Sequence, residues 1–363
     1  MKSTIIIITL MLLVLSGVVS AETRNSQYLD VRSLSMGGTA ITTFDDFRAI
    51  MYNPASLKHR DGLKVDIFAL QVRLDKDVRS MVDFYSDNEE LFDNYADTTL
   101  SAQQELLDGL AEWDDSWLGA GVYGHIGVQY GSFAIGQYGS MDVEFKTDKG
   151  IFEPSVYECG IADIVTTGGL SFEIPASITG NVLPNRLYGG AALKIIKRYE
   201  LHELRLSASE VNLSDAYDTL LEESAWGYGV DLGLKYELIP NKADLGLRVV
   251  DLLADIDDER PPLEVNIGGS MRLSRGILVA ADINDAFFHK GESFFNKVHL
   301  GAEVPLSKPL KVRAGIGQGY PSVGAGLDFG FIQLDGVVYG TERTSRVGGE
   351  GEFNYAFRLK LGF

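Results

Sequence analysis

Cysteine is almost missing from this 363-residue chain. Cys159 stands alone, so the chain can form no internal disulfide and no multi-cysteine metal site. Positive charge is scarce: 32 Lys and Arg face 51 Asp and Glu, a net charge of −19. That argues against nucleic acid as a partner, which needs a basic surface. It also argues against attachment to an anionic membrane surface through a polybasic patch. After the first 21 residues no stretch is apolar for the roughly 20 residues that a membrane helix needs. Histidine is rare too. His59, His125, His202, His289 and His299 show neither metal-ligand nor nucleophile–base spacing. No catalytic residue, metal site or cofactor is expected, and the chain does not read as an enzyme. Asp255, Asp257, Asp258 and Glu259 crowd one loop without the spacing of a calcium-binding loop. Gly315, Gly317 and Gly319 are followed by no helical pattern, so they do not form a dinucleotide-binding turn.

What is present lies first at the two ends. Lys2, an apolar run over 5–19 and the small residues Val19, Ser20 and Ala21 read as a secretory leader. Removal is expected after Ala21, which gives a leader of 1–21. At the other end Phe353, Tyr355, Phe357, Leu359, Leu361 and Phe363 occupy every second position. A strand sends alternate side chains to opposite faces, so one face of this strand is apolar and the other is polar or small. An exported chain without membrane helices can span a bilayer only as a closed barrel. The apolar C-terminal strand is read as its membrane-insertion strand. The 40 glycines exceed the average of roughly 7 % and suit bends, bulges and close backbone approach.

From residue 61 to 363 the chain divides into about 14 candidate strands. They are 63–74, 117–130, 132–141, 164–172, 186–199, 225–236, 243–250, 263–273, 277–284, 296–304, 310–317, 322–329, 331–340 and 352–363. Long connections alternate with short ones, as in a transmembrane barrel with short periplasmic turns and long extracellular loops; the exceptions are 173–185, long for a short side, and 318–321, short for a long side. In 225–236, Trp226, Tyr228, Val230, Leu232, Leu234 and Tyr236 share one face, opposite Gly227, Gly229, Asp231, Gly233 and Lys235. Charge on a lipid face is costly near the midplane. The charged faces should therefore point inward, carrying Asp231, Lys235, Asp244, Arg248, Glu264, Arg272, Lys297, Glu303, Lys311, Arg313, Asp328, Asp335, Arg358 and Lys360. Mixed signs suggest a cross-linked lumen. The first and fifth strands do not sort into faces.

Two further segments stand out. Residues 75–116 hold 13 Asp or Glu against 2 Lys or Arg. They also carry two helical patterns, Val78, Met81, Val82 and Tyr85, then Leu106, Leu107, Leu110 and Trp113, with Ser101 and Gln104 at capping-box spacing. An extracellular helical insert is expected there. Before the barrel, Gly37 and Gly38 permit a turn or close packing. The stretch 43–52 reads as a capped helical turn with Asp45 and Asp46 near its start, ended by Asn53-Pro54.

The run R-S-L-S-M-G-G-T-A from Arg32, followed by D-D-x-x-A-x-x-Y-N-P-A-S-L from Asp45, resembles the N-terminal hatch of the long-chain fatty-acid transporter (FadL) superfamily. PorV-type and TraF-like barrels belong to the same superfamily, and 262–340 is most similar to those two branches. The resemblance implies an all-β, antiparallel, 14-stranded transmembrane barrel in the outer membrane of a Gram-negative-type bacterium. It also implies that residues 22–60 form a lumen plug to which Gly37, Gly38, Asn53, Pro54 and Ala55 belong. The function then expected is passage of small hydrophobic molecules, by capture in an apolar lumen pocket and displacement of the hatch. The alternative is a docking or shuttle barrel of a protein secretion or surface-assembly system. The partners implied are outer-membrane lipid, the barrel-assembly machinery, and a hydrophobic small molecule or a secreted protein.

Overall fold

Fourteen antiparallel strands follow one another around a closed barrel. The computed structural model describes residues 28–58, 60–88, 91, 97–111, 113, 117–148, 155–175, 177, 185–207, 224–257, 260–287 and 292–363. The expected leader at 1–21 and the first residues of 22–60 lie outside the described residues. In chain order the strands are β1 (Arg60–Asp75), β2 (Trp117–Gly131), β3 (Phe133–Asp148), β4 (Ser155–Ile174), β5 (Leu187–Ser207), β6 (Ser224–Ile239) and β7 (Ala243–Ile256). There follow β8 (Glu264–Arg272), β9 (Leu278–Ile283), β10 (Val298–Pro305), β11 (Leu310–Gly317), β12 (Tyr320–Asp328), β13 (Ile332–Glu342) and β14 (Gly351–Gly362). The sheet closes where β14 meets β1. There Val65 and Phe363 exchange both backbone hydrogen bonds, at 2.8 and 2.9 Å.

The outer surface is apolar because the alternation holds. On β14, Tyr355, Phe357, Leu359 and Phe363 are exposed, while Phe353 and Leu361 are half-buried. Asn354, Ala356, Arg358 and Lys360 face inward and are buried. Aromatic side chains collect at the end where the short turns lie: Tyr130, Phe133, Phe172, Phe329, Phe331 and Phe363 are all exposed. An outward apolar band edged by aromatic residues is the surface of an outer-membrane barrel. Among the described residues no helix is long and apolar enough to cross a membrane; strands do the crossing.

The two strands that resist face assignment have identifiable reasons. β1 carries a bulge between Asp66 and Phe68, which moves the inward positions from Asp66 to Ala69, Gln71, Arg73 and Asp75. One extra residue swaps the faces of everything after it. β5 keeps its register with β4 from Leu187 to Leu201, but its inward face there holds Ala192 and Ile196 among the buried Lys194 and Arg198, so apolarity does not mark the lipid side. β3, β4 and β5 are also longer than expected, at 16, 20 and 21 residues. Asp142 and Glu144 look like loop residues in the sequence, yet they belong to β3 and pair with arginines inside the barrel.

Between β1 and β2, at the end opposite the chain terminus, lie helices α3 (Val78–Asp87) and α4 (Leu100–Leu110). Thr99, not Ser101, caps α4, and its hydroxyl accepts from the Ala102 amide at 3.3 Å. Val78 and Trp113 pack with Leu118 at the start of β2, and Leu106 with Leu110 under Phe84. Ahead of the barrel come α1 (Val31–Ser35), α2 (Ala49–Tyr52) and a single 3₁₀ turn (Pro54–Ser56).

Candidate functional site

Residues 28–58 sit inside the barrel, and nearly all are buried or half-buried. A chain this irregular must find partners for its backbone groups away from water. The inward side chains of the strands supply them. The Val31 amide donates to Gln71 Oε1 at 3.0 Å and the Gly37 amide to Ser322 Oγ at 3.0 Å. The Ala40 and Ile41 amides both donate to Asp282 Oδ2, at 2.6 and 3.0 Å. Nearer the short turns, Ser171 Oγ donates to the Leu57 carbonyl at 2.6 Å and Gln129 Nε2 to the Lys58 carbonyl at 2.7 Å.

Gly37 and Gly38 have φ of +66° and +92° and make the turn after α1. They rest on glycines of the wall. A Cβ at Gly315 or Gly317 would run into the backbone of Gly37, and one at Gly301 into that of Met36. The same holds at the other end. A Cβ at Gly190 would strike the Pro54–Ala55 peptide, and one at Gly233 the Asn53 side chain. Asn53 Oδ1 accepts from the Ala55 amide at 3.1 Å and caps the 3₁₀ turn, while Asn53 Nδ2 donates to the Leu234 carbonyl at 3.2 Å. Thus Gly37 and Gly38 lie against β10 and β11, and Asn53, Pro54 and Ala55 lie against β5 and β6. The structure does not bring the two groups together. The helical turn read over 43–52 is regular only as α2, Ala49–Tyr52; ahead of it Asp46 Oδ1 accepts from the Arg48 amide at 3.0 Å, and the same carboxylate pairs with the Arg48 guanidinium.

Charge holds the middle. Asp30, at 0 % exposure, accepts from Arg48 Nη1 at 3.0 Å and from Arg358 Nη1. Arg358 also reaches Asp335 at 2.6 Å, Asp335 reaches Arg313 at 2.6 Å, and Arg313 reaches Glu303 at 2.7 Å. Glu303 returns to the inner segment through Arg32 at 2.9 Å. With Arg48–Asp46 at 2.7 Å, four guanidiniums meet four carboxylates, so the ring is neutral. Burial alone would lift the Asp30 carboxyl, but the Arg358 and Arg48 guanidiniums outweigh it and hold the group well below the usual carboxylate range. No signal in the sequence marks Asp30 or Arg48 for this role, and Arg32 enters only as the first residue of the quoted motif, whereas the inward parity of Glu303, Arg313, Asp335 and Arg358 is legible in the alternation.

Two histidines of the strands also hold this segment. His299 Nδ1 lies 2.6 Å from the Gly37 carbonyl, which can only accept, so Nδ1 carries the proton. His125 lies between Tyr28 Oη at 2.9 Å and Asp66 Oδ2 at 3.1 Å. On the β2–β5 side the contact is apolar: Phe44, Phe47, Ile50 and Met51 pack with Tyr123, Ala134, Tyr138, Val165, Ala192 and Ile196.

Above the inner segment, toward the long loops, lies a chamber of about 510 Å³. Its floor includes Tyr28, Ala40, Met51 and Tyr52. Among the described residues its lining carries nine carboxylates, Asp30 of the inner segment included, and four arginines or lysines. This chamber is not the apolar pocket expected from the resemblance. Its strand walls are largely charged or polar, with the rings of Tyr123, Tyr320 and Tyr339 among them. Among the described residues no group of histidine, cysteine and carboxylates could hold a metal ion.

No protein-family model matches the chain, and no curated protein does. Solved structures do. A deletion mutant of the TodX monoaromatic hydrocarbon channel is similar over 93 % of this chain and 98 % of its own, with 14 % identity and a TM-score of 0.55. The toluene transporter TodX of P. putida is similar over 94 % of this chain and 99 % of its own, with 13 % identity and a TM-score of 0.54. The toluene transporter TbuX of Ralstonia pickettii covers 93 % and 98 %, with 14 % identity and a TM-score of 0.52. At these identities the likeness is one of fold, over almost the full length of each chain.

Proposed function

We propose that this chain is an outer-membrane channel of the FadL-like kind for small hydrophobic molecules, with residues 28–58 as its displaceable hatch. One observation carries the reading. The inner wall over β2–β5 presents an apolar strip of Tyr123, Ala134, Tyr138, Val165, Ala192 and Ile196, covered by Phe44, Phe47, Ile50 and Met51 of the inner segment. A wall that only had to hold water would favour polar side chains here, as porin interiors do. Displacing the segment would uncover this strip, on which the neighbouring Lys194 and Arg198 are already paired with Asp231, Asp251 and Asp163. The fold it shares with structures described as hydrocarbon channels and toluene transporters supports the same reading. In this orientation the long loops and the chamber face the outside, and the short turns face the periplasm.

The test is uptake of naphthalene into liposomes that carry lipopolysaccharide in the outer leaflet, with and without the reconstituted chain. Uptake at least tenfold above protein-free liposomes is expected, and Val165→Asp should remove most of the gain. Rates no faster than protein-free liposomes would sink the proposal. The acidic insert with α3 and α4 favours a second reading, a docking barrel for a secreted or surface protein. A stoichiometric protein partner that is lost on deletion of 77–112, with naphthalene uptake absent, would replace the first reading by the second.

A further inference from the structure

The lipid-facing side of β5 carries a charge that the apolar strip does not explain. Ala192, Lys194, Ile196 and Arg198 are buried inside the barrel, so Leu193, Ile195 and Lys197 point outward. Leu193 and Ile195 are exposed, and across the sheet Lys197 pairs with Ile164 of β4 and Trp226 of β6. The inward cations of this region are matched: Lys194 lies 2.8 Å from Asp231, and Arg198 lies 2.8 Å from Asp163. Lys197 has no hydrogen bond or ion pair among the described residues. Its Nζ instead lies 4.8 Å from the Tyr199 ring centroid and 5.6 Å from that of Trp226. The two rings attract the ammonium, but they leave its N–H donors without an oxygen acceptor.

Near the midplane such a charge would be costly. Lys197 is not there. From Leu187, at the short-turn end, β5 climbs about 25 Å along the membrane normal to Lys197, at a rise of roughly 3.3 Å per residue and a tilt of about 40°. The apolar band of such barrels is itself about 25 Å tall. Lys197, Tyr199 and Trp226 therefore stand at its far edge, and lysine, tyrosine and tryptophan are the side chains that anchor a protein at a membrane interface. In the orientation given above, this edge meets the headgroups of the outer leaflet, where lipid A presents phosphates on a disaccharide. A second copy of the chain would bring no counter-ion, because among the described residues the outward positions of β3–β6 hold no carboxylate.

We infer that Lys197 binds a phosphate of lipid A in the outer leaflet, its ammonium donating to the phosphate oxygens while Tyr199 and Trp226 pack on the upper acyl chains. The site lies outside the lumen and goes beyond the proposed passage.

Native mass spectrometry of the full chain in non-ionic detergent, titrated with bisphosphorylated lipid A or with its dephosphorylated form, tests it. The phosphorylated lipid should bind about fivefold more tightly, the effect of one lysine beside an anionic headgroup. Lys197→Gln should lose that preference and Lys197→Arg should keep it. Lys308→Gln, at an exposed position between β10 and β11 on the opposite end, should leave it unchanged. Equal binding of the two lipids, or a Lys197→Gln variant that keeps the preference, would overturn the inference. So would displacement of the lipid by inorganic phosphate at equal concentration, which would make Lys197 a free-anion site, or a Lys197-dependent dimer that excludes lipid. Lipid binding is read without transport, so a failed naphthalene uptake assay would remove the passage and leave the lipid site standing.

Discussion

The inner segment meets the barrel in two different ways. Toward β2–β5 it is held by shape: Phe47 and Ile50 fill apolar space, and the Pro54–Ala55 peptide sits on Gly190 of β5. Toward β10–β14 it is held largely by charge, through the ring that joins Asp30 and Arg32 to Glu303, Arg313, Asp335 and Arg358. Apolar contact has no preferred direction, and it can slide at modest cost. A ring of buried, hydrogen-bonded ions has one geometry and is severely penalised when a single member is lost. The ring therefore fixes where the segment sits, while the apolar face adds buried area without direction. If the segment moves as proposed above, the ring would set the position to which it returns.

Removing Asp30 should show the largest effect. Asp30→Ala leaves Arg48 and Arg358 buried and facing each other's charge, a loss of about 3–5 kcal/mol. Denaturant midpoint in detergent, together with tryptic cleavage at Arg32 and Arg48, measures it. A midpoint unchanged from the parent chain would mean that the ring does not hold the segment. On the docked side, Gly190→Ala pushes a methyl group into the Pro54–Ala55 peptide. Overpacking of this kind costs about 1–3 kcal/mol. The expected signature is early cleavage at Lys58 while Arg32 stays protected; simultaneous release of both would show that the two contacts act as one unit.

The smallest effect should come from mild acid. The folded Asp30 carboxyl titrates below the usual range, so its contribution is complete above the unfolded value of about 3.9 and is lost only as pH falls through the lower folded value. Lowering the pH from 7 to about 4 should leave hydrogen exchange in α1 unaltered once corrected for the intrinsic rate. Loss of protection between pH 6 and 5 would show that other groups govern the ring.

Much of this was legible in the chain, and the failures are instructive. Alternation over β6, β11 and β14 was read correctly because lipid on one side and charge on the other impose a strict period of two. β1 defeated the same reading through a bulge, and β5 through an inner face that mixes Ala192 and Ile196, packed on the inner segment, with Lys194 and Arg198. The motif around Gly37-Gly38 and Asn53-Pro54-Ala55 announced a special backbone. It did not say that the matching glycines lie far away at 190, 233, 301, 315 and 317.

By itself, the sequence determined the barrel, its strand number and the side of each regular strand that meets lipid. Those follow from local periodicity, which needs no knowledge of neighbours. Only the tertiary structure decided which charges pair, why so many wall positions are glycine, and that the chamber is acidic over an apolar floor. Each of these depends on side chains separated by hundreds of residues, such as Asp30 and Arg358. No local pattern encodes that distance, because the partners meet only when β14 closes the barrel on β1 around residues 28–58.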